Sequence, residues 1–269
     1  MRDITLGQYI NGDSVIHRLD PRLKLLVSVL FIVFLFLIKT PLVMTLVFLL
    51  VLQLYKMIRI PIKMLIVSIK PVLPVILFTS ALNMFFVAGD PLISIGKISI
   101  TDRGVVFAYM LSLRIIVLLA GSSLLTYTTT PIQLTGAIES LFSPLLKVGF
   151  PVHELAMMMT IALRFIPTLM NETDKTISAQ KSRGADMETG SFIQRIKALT
   201  PVLIPLFISA FRRADELALA MECRCYNADG KRTKLHELRY GKNDLVAAIC
   251  SILVISLICF LDWSVNAAI

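Results

Sequence analysis

The sequence predicts an all-helical polytopic membrane protein, five transmembrane helices with a module of about three amphipathic helices on one side, and three observations carry that reading. Of its 269 residues, 56% are hydrophobic and only 17% charged, with a mean hydropathy of +0.79, which lies outside the range of soluble domains. The apolar residues gather into runs near the ~17 to 25 residues that cross a hydrocarbon core. The 27 Lys and Arg residues, against 18 Asp and Glu, fall almost wholly on one side of those runs, as membrane insertion favours. The same composition excludes a disordered chain, a collagen-like repeat and a disulfide-stapled scaffold, because the chain is apolar and holds only 12 glycines and 4 cysteines.

Residues 1–20 carry Asp3, Asp13, His17, Arg18 and Asp20 ahead of any apolar run, so the N-terminus is not expected to be a cleavable signal. Spans are expected at Leu23 to Ile38, Leu42 to Tyr55, Pro71 to Ala88, Val105 to Leu125 and Leu245 to Leu261. The shorter ones rely on flanking Lys and Arg that snorkel. Lys56, Arg59, Lys63 and Lys70 crowd the connection before the third span, and Pro71 and Pro74 are placed to kink it. Residues 1–24 hold four Lys and Arg, 56–70 four and 127–242 fifteen. Only Lys39, Lys97 and Arg103 fall on the other side, and Arg114 lies within a span. This partition puts the N-terminus in the cytosol and the C-terminus outside. It also explains the basic excess by orientation, without a nucleic-acid partner. Three regions result: 1–126 with four spans, 127–242 as a cytosolic module, and 243–269 with the last span.

Two stretches inside the module, Leu155 to Met170 and Val202 to Phe211, are apolar enough to suggest a membrane hairpin. Its loop would carry Lys175, Lys181, Arg183, Arg195 and Lys197 to the outside, against the charge rule, and the hairpin is rejected. Leu155, Met158, Met159, Ala162, Phe165, Ile166 and Leu169 recur at helical spacing, as do Leu203, Leu206, Phe207, Ala210, Ala214, Leu217 and Met221. Both read as long amphipathic helices at the cytosolic face, their apolar halves sunk into the interface. A shorter first helix opens at Thr130-Pro131 and ends by Gly149 and Pro151. The second runs from about His153 to Arg183, with a bend at Pro167 and a left-handed stop at Gly184. The third runs from about Phe192 to Tyr226, with bends near Pro201 and Pro205.

The ends of the second and third helices resemble each other. Residues 178–186, SAQKSRGAD, and 219–227, LAMECRCYN, align at Arg183 and Arg224, with Ala179 and Ala220 four residues earlier and Asp174 and Asp215 nine earlier. Small residues flank each arginine, Ser182 and Gly184 in one case, Cys223 and Cys225 in the other. An arginine so framed at an exposed helix end can enter a partner's groove, where its planar fork makes several charge-assisted hydrogen bonds. The plainer reading is that each merely complements a helix dipole, worth about 0.3 to 1 kcal/mol. Duplication of the surroundings favours two docking plugs.

At these residues the chain resembles a known family. The runs GQYINGDSVIHRLDPRLKL (Gly7 to Leu25), HELAMMMTIALRFIPTLMNETDK (His153 to Lys175) and FRRADELALAMECRCY (Phe211 to Tyr226) are similar to signatures of the transmembrane T component of energy-coupling factor (ECF) transporters, importers of vitamins and metals. The resemblance covers essentially the whole chain. It implies a prokaryotic cell membrane and a complex of one T component, two ATPase subunits and one substrate-binding S component. It further implies that two coupling helices each dock an Ala-Arg-Gly-like motif into one ATPase, which carries over to Ser182-Arg183-Gly184 and Cys223-Arg224-Cys225. The first keeps the arginine and glycine, the second only the arginine. The N-terminal signature looks like the shared-module type that serves several S components, and ATP-driven motion is implied to topple the S component and release a vitamin inward.

Other motifs argue against a self-sufficient machine. No Gly-x-x-x-x-Gly-Lys-Ser/Thr loop exists, so ATP hydrolysis is a partner's work. No carboxylate lies between Asp20 and Asp90, between Asp102 and Glu139, or from Leu245 through Leu261, which disfavours a secondary permease with an intramembrane acid relay. No catalytic constellation emerges and no cofactor is called for. Arg114 is either a latch or pathway residue or an arginine satisfied by carbonyls or Asn83. Ala120-Gly121-Ser122-Ser123 reads as close helix packing. Cys223-x-Cys225 does not match a usual zinc spacing, and His17-Arg18-Leu19-Asp20-Pro21-Arg22 reads as a cap and topology anchor. Met157, Met158, Met159, Met170 and Met221 are either ordinary core or an adaptable surface for an S component.

Overall fold

A computed structural model describes residues 9–10, 12–95, 98–185, 191–227 and 240–268. In chain order the elements are α1 (Pro21–Leu37), α2 (Pro41–Ile58), α3 (Ile62–Ile69), α4 (Leu73–Phe86), β1 (Pro91–Ile95), β2 (Ile98–Thr101), α5 (Asp102–Thr128), α6 (Pro131–Phe142), a 3-10 turn (Ser143–Val148), α7 (Val152–Ser182), α8 (Phe192–Cys223) and α9 (Lys242–Ala268). The chain is thus an all-α polytopic membrane protein with one small hairpin added. It separates into two compact units, one comprising Ile138–Glu237, the other Gly7–Ala137 with Leu238–Ile269.

In the second of these units α2 supplies the central seam. Val43, Met44, Val47, Val51, Tyr55 and Ile58 recur at helical spacing and are buried with Val117, Ala120 and Tyr127 of α5 and Phe34 and Leu35 of α1. Tyr55 donates its phenol proton to the Ala120 carbonyl at 2.9 Å, so its one polar atom is not stranded in an apolar core. A Cβ on Gly121 would overlap the Phe31 ring, which accounts for the small-residue run as a close helix crossing. Outward-facing residues such as Leu77, Phe78, Leu253 and Leu257 stay exposed, as lipid-facing positions must be apolar.

Arg114 donates to the Ile38 carbonyl at 2.7 Å, with its guanidinium over the Phe36 ring. Asn83 bonds the Thr79 carbonyl instead, so of the two partners expected for Arg114, a carbonyl is the one present. The α1–α2 turn is held from a second side by Asp262 of α9, which accepts from Thr40 Oγ1 and the Thr40 amide.

Among the described residues four helices are long and apolar enough to cross a membrane, α2, α5, α7 and α9, with α3 and α4 as a fifth crossing if the pair, bent by 63°, acts as one. Only with the bent pair counted does the number reach the five expected, and the membership differs at two helices, α7 being included and α1 not. α1 has 17 residues, about 26 Å, slightly short of a ~30 Å core. α7, with 31 residues, qualifies by length and composition. The break at Lys70 to Val72 lies at the expected proline kink, but the basic connection before it is itself helical, as α3. The hairpin β1–β2 pairs Ile93 with Ile100 and Ile95 with Ile98. It was not anticipated.

Candidate functional site: two arginine-bearing helix ends

The helices α6, α7 and α8 carry the residues singled out above, and each begins or ends where local chemistry dictates. At the start of α6 the Gln133 side chain accepts from the Thr130 amide at 3.1 Å, while Thr130 Oγ1 accepts from the Gln133 amide at 3.3 Å. This reciprocal box satisfies two donors that a helix start leaves unpaired. The 3-10 turn closes at Gly149, whose φ of 82° only glycine adopts freely. His153 near the start of α7 bonds Glu139 at 2.7 Å.

The C-terminus of α7 is a two-bond stop. The Gly184 amide donates to Lys181 O at 3.0 Å and the Ala185 amide to Gln180 O at 3.0 Å, with Gly184 left-handed at φ 85°. The six-to-one and five-to-two bonds together make a Schellman motif. Arg183 occupies the cap position between helix and turn, exposed.

α8 ends the same way. The Cys225 amide donates to Glu222 O at 2.9 Å and the Tyr226 amide to Met221 O at 3.0 Å, while Cys225 is left-handed at φ 54°. Arg224 therefore holds the position that Arg183 holds. The sequence alignment at the two arginines corresponds to one backbone motif built twice, with Gly184 and Cys225 as equivalent residues. A Cβ in that region costs about 1 to 2 kcal/mol. Ser182, Cys223, Arg224 and Cys225 are exposed, as are Ala179 and Ala220. Among the described residues, neither arginine's guanidinium has a hydrogen bond or ion pair.

Side-chain bonds between α7 and α8 fix their sense. Glu172 pairs with Arg213 and accepts from Ser209 at 3.2 Å, and the Tyr226 hydroxyl donates to the Met157 sulfur at 2.8 Å. As the residue number rises on one helix it falls on the other, so the helices run antiparallel. Arg224 consequently lies beside the start of α7 and Arg183 at its far end. From Met157 to Arg183 the helix rises about 39 Å. Pro167, Pro201 and Pro205 interrupt the ladders between these points.

The methionines do not form one cluster. Met157 is tied to Tyr226, whereas Met158 and Met159 are 53% and 43% exposed. Met170 and Met221 are half-buried, and Met170 lies about 20 Å further along α7 than Met157. Sequence reading missed Glu172, Arg213 and Tyr226. All three fall within the long motifs quoted above, but spacing along one helix carries no signal of a partner on another.

A family model described as CbiQ, cobalt transport protein, matches residues 12–236. The chain is 48% identical over 267 residues to the energy-coupling factor transporter transmembrane protein EcfT of Acidaminococcus fermentans, covering 99% of this chain and 100% of that one. It is 46% identical over 263 residues to the EcfT of Ruminiclostridium cellulolyticum, covering 98% of each. Against the EcfT of Bacillus subtilis it is 42% identical over 262 residues, covering 97% of this chain and 99% of that one.

Proposed function

The chain belongs to the CbiQ family, as a transmembrane component of an energy-coupling factor transporter, and from that premise we propose that it is the scaffold converting ATPase motion into vitamin import. In this reading Arg183 and Arg224 each dock one of two ATPase subunits, with Ser182 and Gly184 or Cys223 and Cys225 as the small neighbours that let the arginine enter its socket. Residues 127–242 form the coupling module on the cytosolic side of the cell membrane of a prokaryote. The N-terminus is cytosolic and the C-terminus outside. An exchangeable S component binds the vitamin, and Met157, Met158, Met159, Met170 and Met221 contribute to the surface it meets. The chain itself performs no catalysis and holds no cofactor.

One observation carries the proposal: the same exposed arginine-bearing turn is built at opposite ends of an antiparallel helix pair. Two prongs built on the same backbone turn, about 39 Å apart along a helix, suit two copies or near-copies of one kind of partner, each engaging one prong. Dipole complementation alone has no use for matched flanking residues. Truncating a desolvated, hydrogen-bonded charge at an interface costs roughly 2 to 5 kcal/mol. The double variant Arg183→Ala/Arg224→Ala, purified from membranes, is therefore expected to lose both ATPases and all uptake. Retention of both ATPases with wild-type uptake refutes the docking role. Sidedness is read by placing a single cysteine at Glu188, with Cys223, Cys225, Cys250 and Cys259 replaced. It should react only with reagents that enter the cytosol, and labelling from outside restores the hairpin. A self-contained permease or a membrane enzyme would instead act in proteoliposomes holding this chain alone.

A further inference from the structure

Among the described residues three charged side chains are buried, Asp20 at 6%, Lys24 at 8% and Asp244 at 6% exposure, and all three lie in one cluster. Lys24 Nζ donates to the His17 carbonyl at 3.0 Å and to the Thr128 carbonyl at 2.9 Å. The Asp20 amide donates to Asp244 Oδ1 at 2.8 Å, and the Asp20 carboxylate caps α1 by accepting from the Arg22 amide at 2.8 Å. The second Asp244 oxygen accepts from the Gly241 amide at 2.7 Å. Two further links join the same elements: the Ile10 amide donates to Tyr127 O at 3.0 Å, and the Arg22 guanidinium sits 5.5 Å from the centre of the Tyr240 ring.

The partners have one property in common. Tyr127 and Thr128 are the last residues of α5, where the chain leaves for α6, α7 and α8. Tyr240, Gly241 and Asp244 are where it returns to begin α9. Both passages between the membrane helices and the segment bearing the two arginines are thus tied to Ile10, Asp20, Arg22 and Lys24. Burying three charges is costly unless each is fully bonded, and a helix that needed only a start could use the Asp20 cap alone.

We infer that Ile10 and residues 12–24 act as a buckle holding the outgoing and returning passages together, with Lys24 and Asp244 as positioning residues for coupling. Movement of the segment between them then reaches α1, α5 and α9 at once and is not absorbed in two loose joints. This rests on the coupling role proposed above.

The test uses the whole transporter in proteoliposomes, comparing wild type with Lys24→Met and Asp244→Asn. ATPase subunits should copurify at wild-type ratio and hydrolysis should persist, while substrate taken up per ATP hydrolysed falls at least tenfold. Amide exchange at 127–131 and 240–245 should quicken together, with exchange in Val43 to Ile58 unchanged. Lys24→Arg, which keeps donors for the two carbonyls, should recover part of the uptake. Unchanged uptake per ATP despite faster exchange overturns the inference, as does unchanged exchange. If Lys24→Met fails to assemble, Asp244→Asn, which keeps volume and one acceptor oxygen, decides by the same readings. Failure of the coupling reading itself looks different, because it appears as wild-type uptake in the double arginine variant.

Discussion

The ends of α7 and α8 are bonded alike and composed differently. Both close with amides of the two residues after the cap reaching back to the third and second carbonyls from the helix end, yet the left-handed residue is glycine in one and cysteine in the other. A backbone motif fixes where each arginine sits, and the residue in the turn sets how costly that placement is. The α7 end is relaxed, whereas the α8 end carries a strain of about 1 to 2 kcal/mol at Cys225. Equal presentation at unequal stability suits prongs doing the same job in surroundings that need not be the same.

The largest effect that can break this comparison comes from the single arginine variants. If the ends are equivalent, Arg183→Ala and Arg224→Ala should each weaken ATPase binding by roughly 2 to 5 kcal/mol, seen as loss of one ATPase subunit per complex on gel filtration. Loss confined to one variant shows the ends to be inequivalent despite their matching geometry. A middle-sized effect is expected from Glu172→Ala, which leaves Arg213 and Ser209 without the partner that ties the two helices. Hydrogen bonds to charged groups contribute about 1.5 to 3 kcal/mol. The pair should open, with faster amide exchange around Ser209 and Arg213 and reduced uptake. Unaltered exchange there would show that apolar packing alone holds the helices.

The smallest effects sharpen the contrast between the turns. Gly184→Ala should lower stability by about 1 to 2 kcal/mol and Cys225→Gly should raise it by up to about 1 kcal/mol, because only glycine occupies the left-handed region without steric cost. Thermal unfolding in detergent reads both. A destabilised Cys225→Gly would mean that the cysteine side chain makes a contact worth more than the strain. That residue is exposed, so stabilisation is the expected sign.

Much of the fold was legible because membrane helices are written in long apolar runs and explicit stops. Thr130-Pro131 opens α6, Gly149 closes the 3-10 turn after it and Gly184 stops α7. The hairpin also leaves a trace in the sequence: Ile93-Ser94-Ile95 and Ile98-Ser99-Ile100 alternate on either side of Gly96-Lys97, the period of a strand. Its brevity between two apolar runs hid it. Of the candidate site, the arginines and their small neighbours could be found from self-similarity. The left-handed cysteine could not, since nothing in a Cys-Arg-Cys string announces a positive φ.

By itself the sequence determined the all-helical membrane class, the family and the two arginines, all of which rest on composition and on residues near one another in the chain. Tertiary structure alone decided that α7 and α8 run antiparallel through Glu172, Arg213, Met157 and Tyr226, and that Lys24 and Asp244 meet residues over a hundred positions away. The reason is physical. A helix forms from bonds four residues apart and so leaves a periodic record along the chain, whereas a buried charge is made tolerable by partners that only packing brings together.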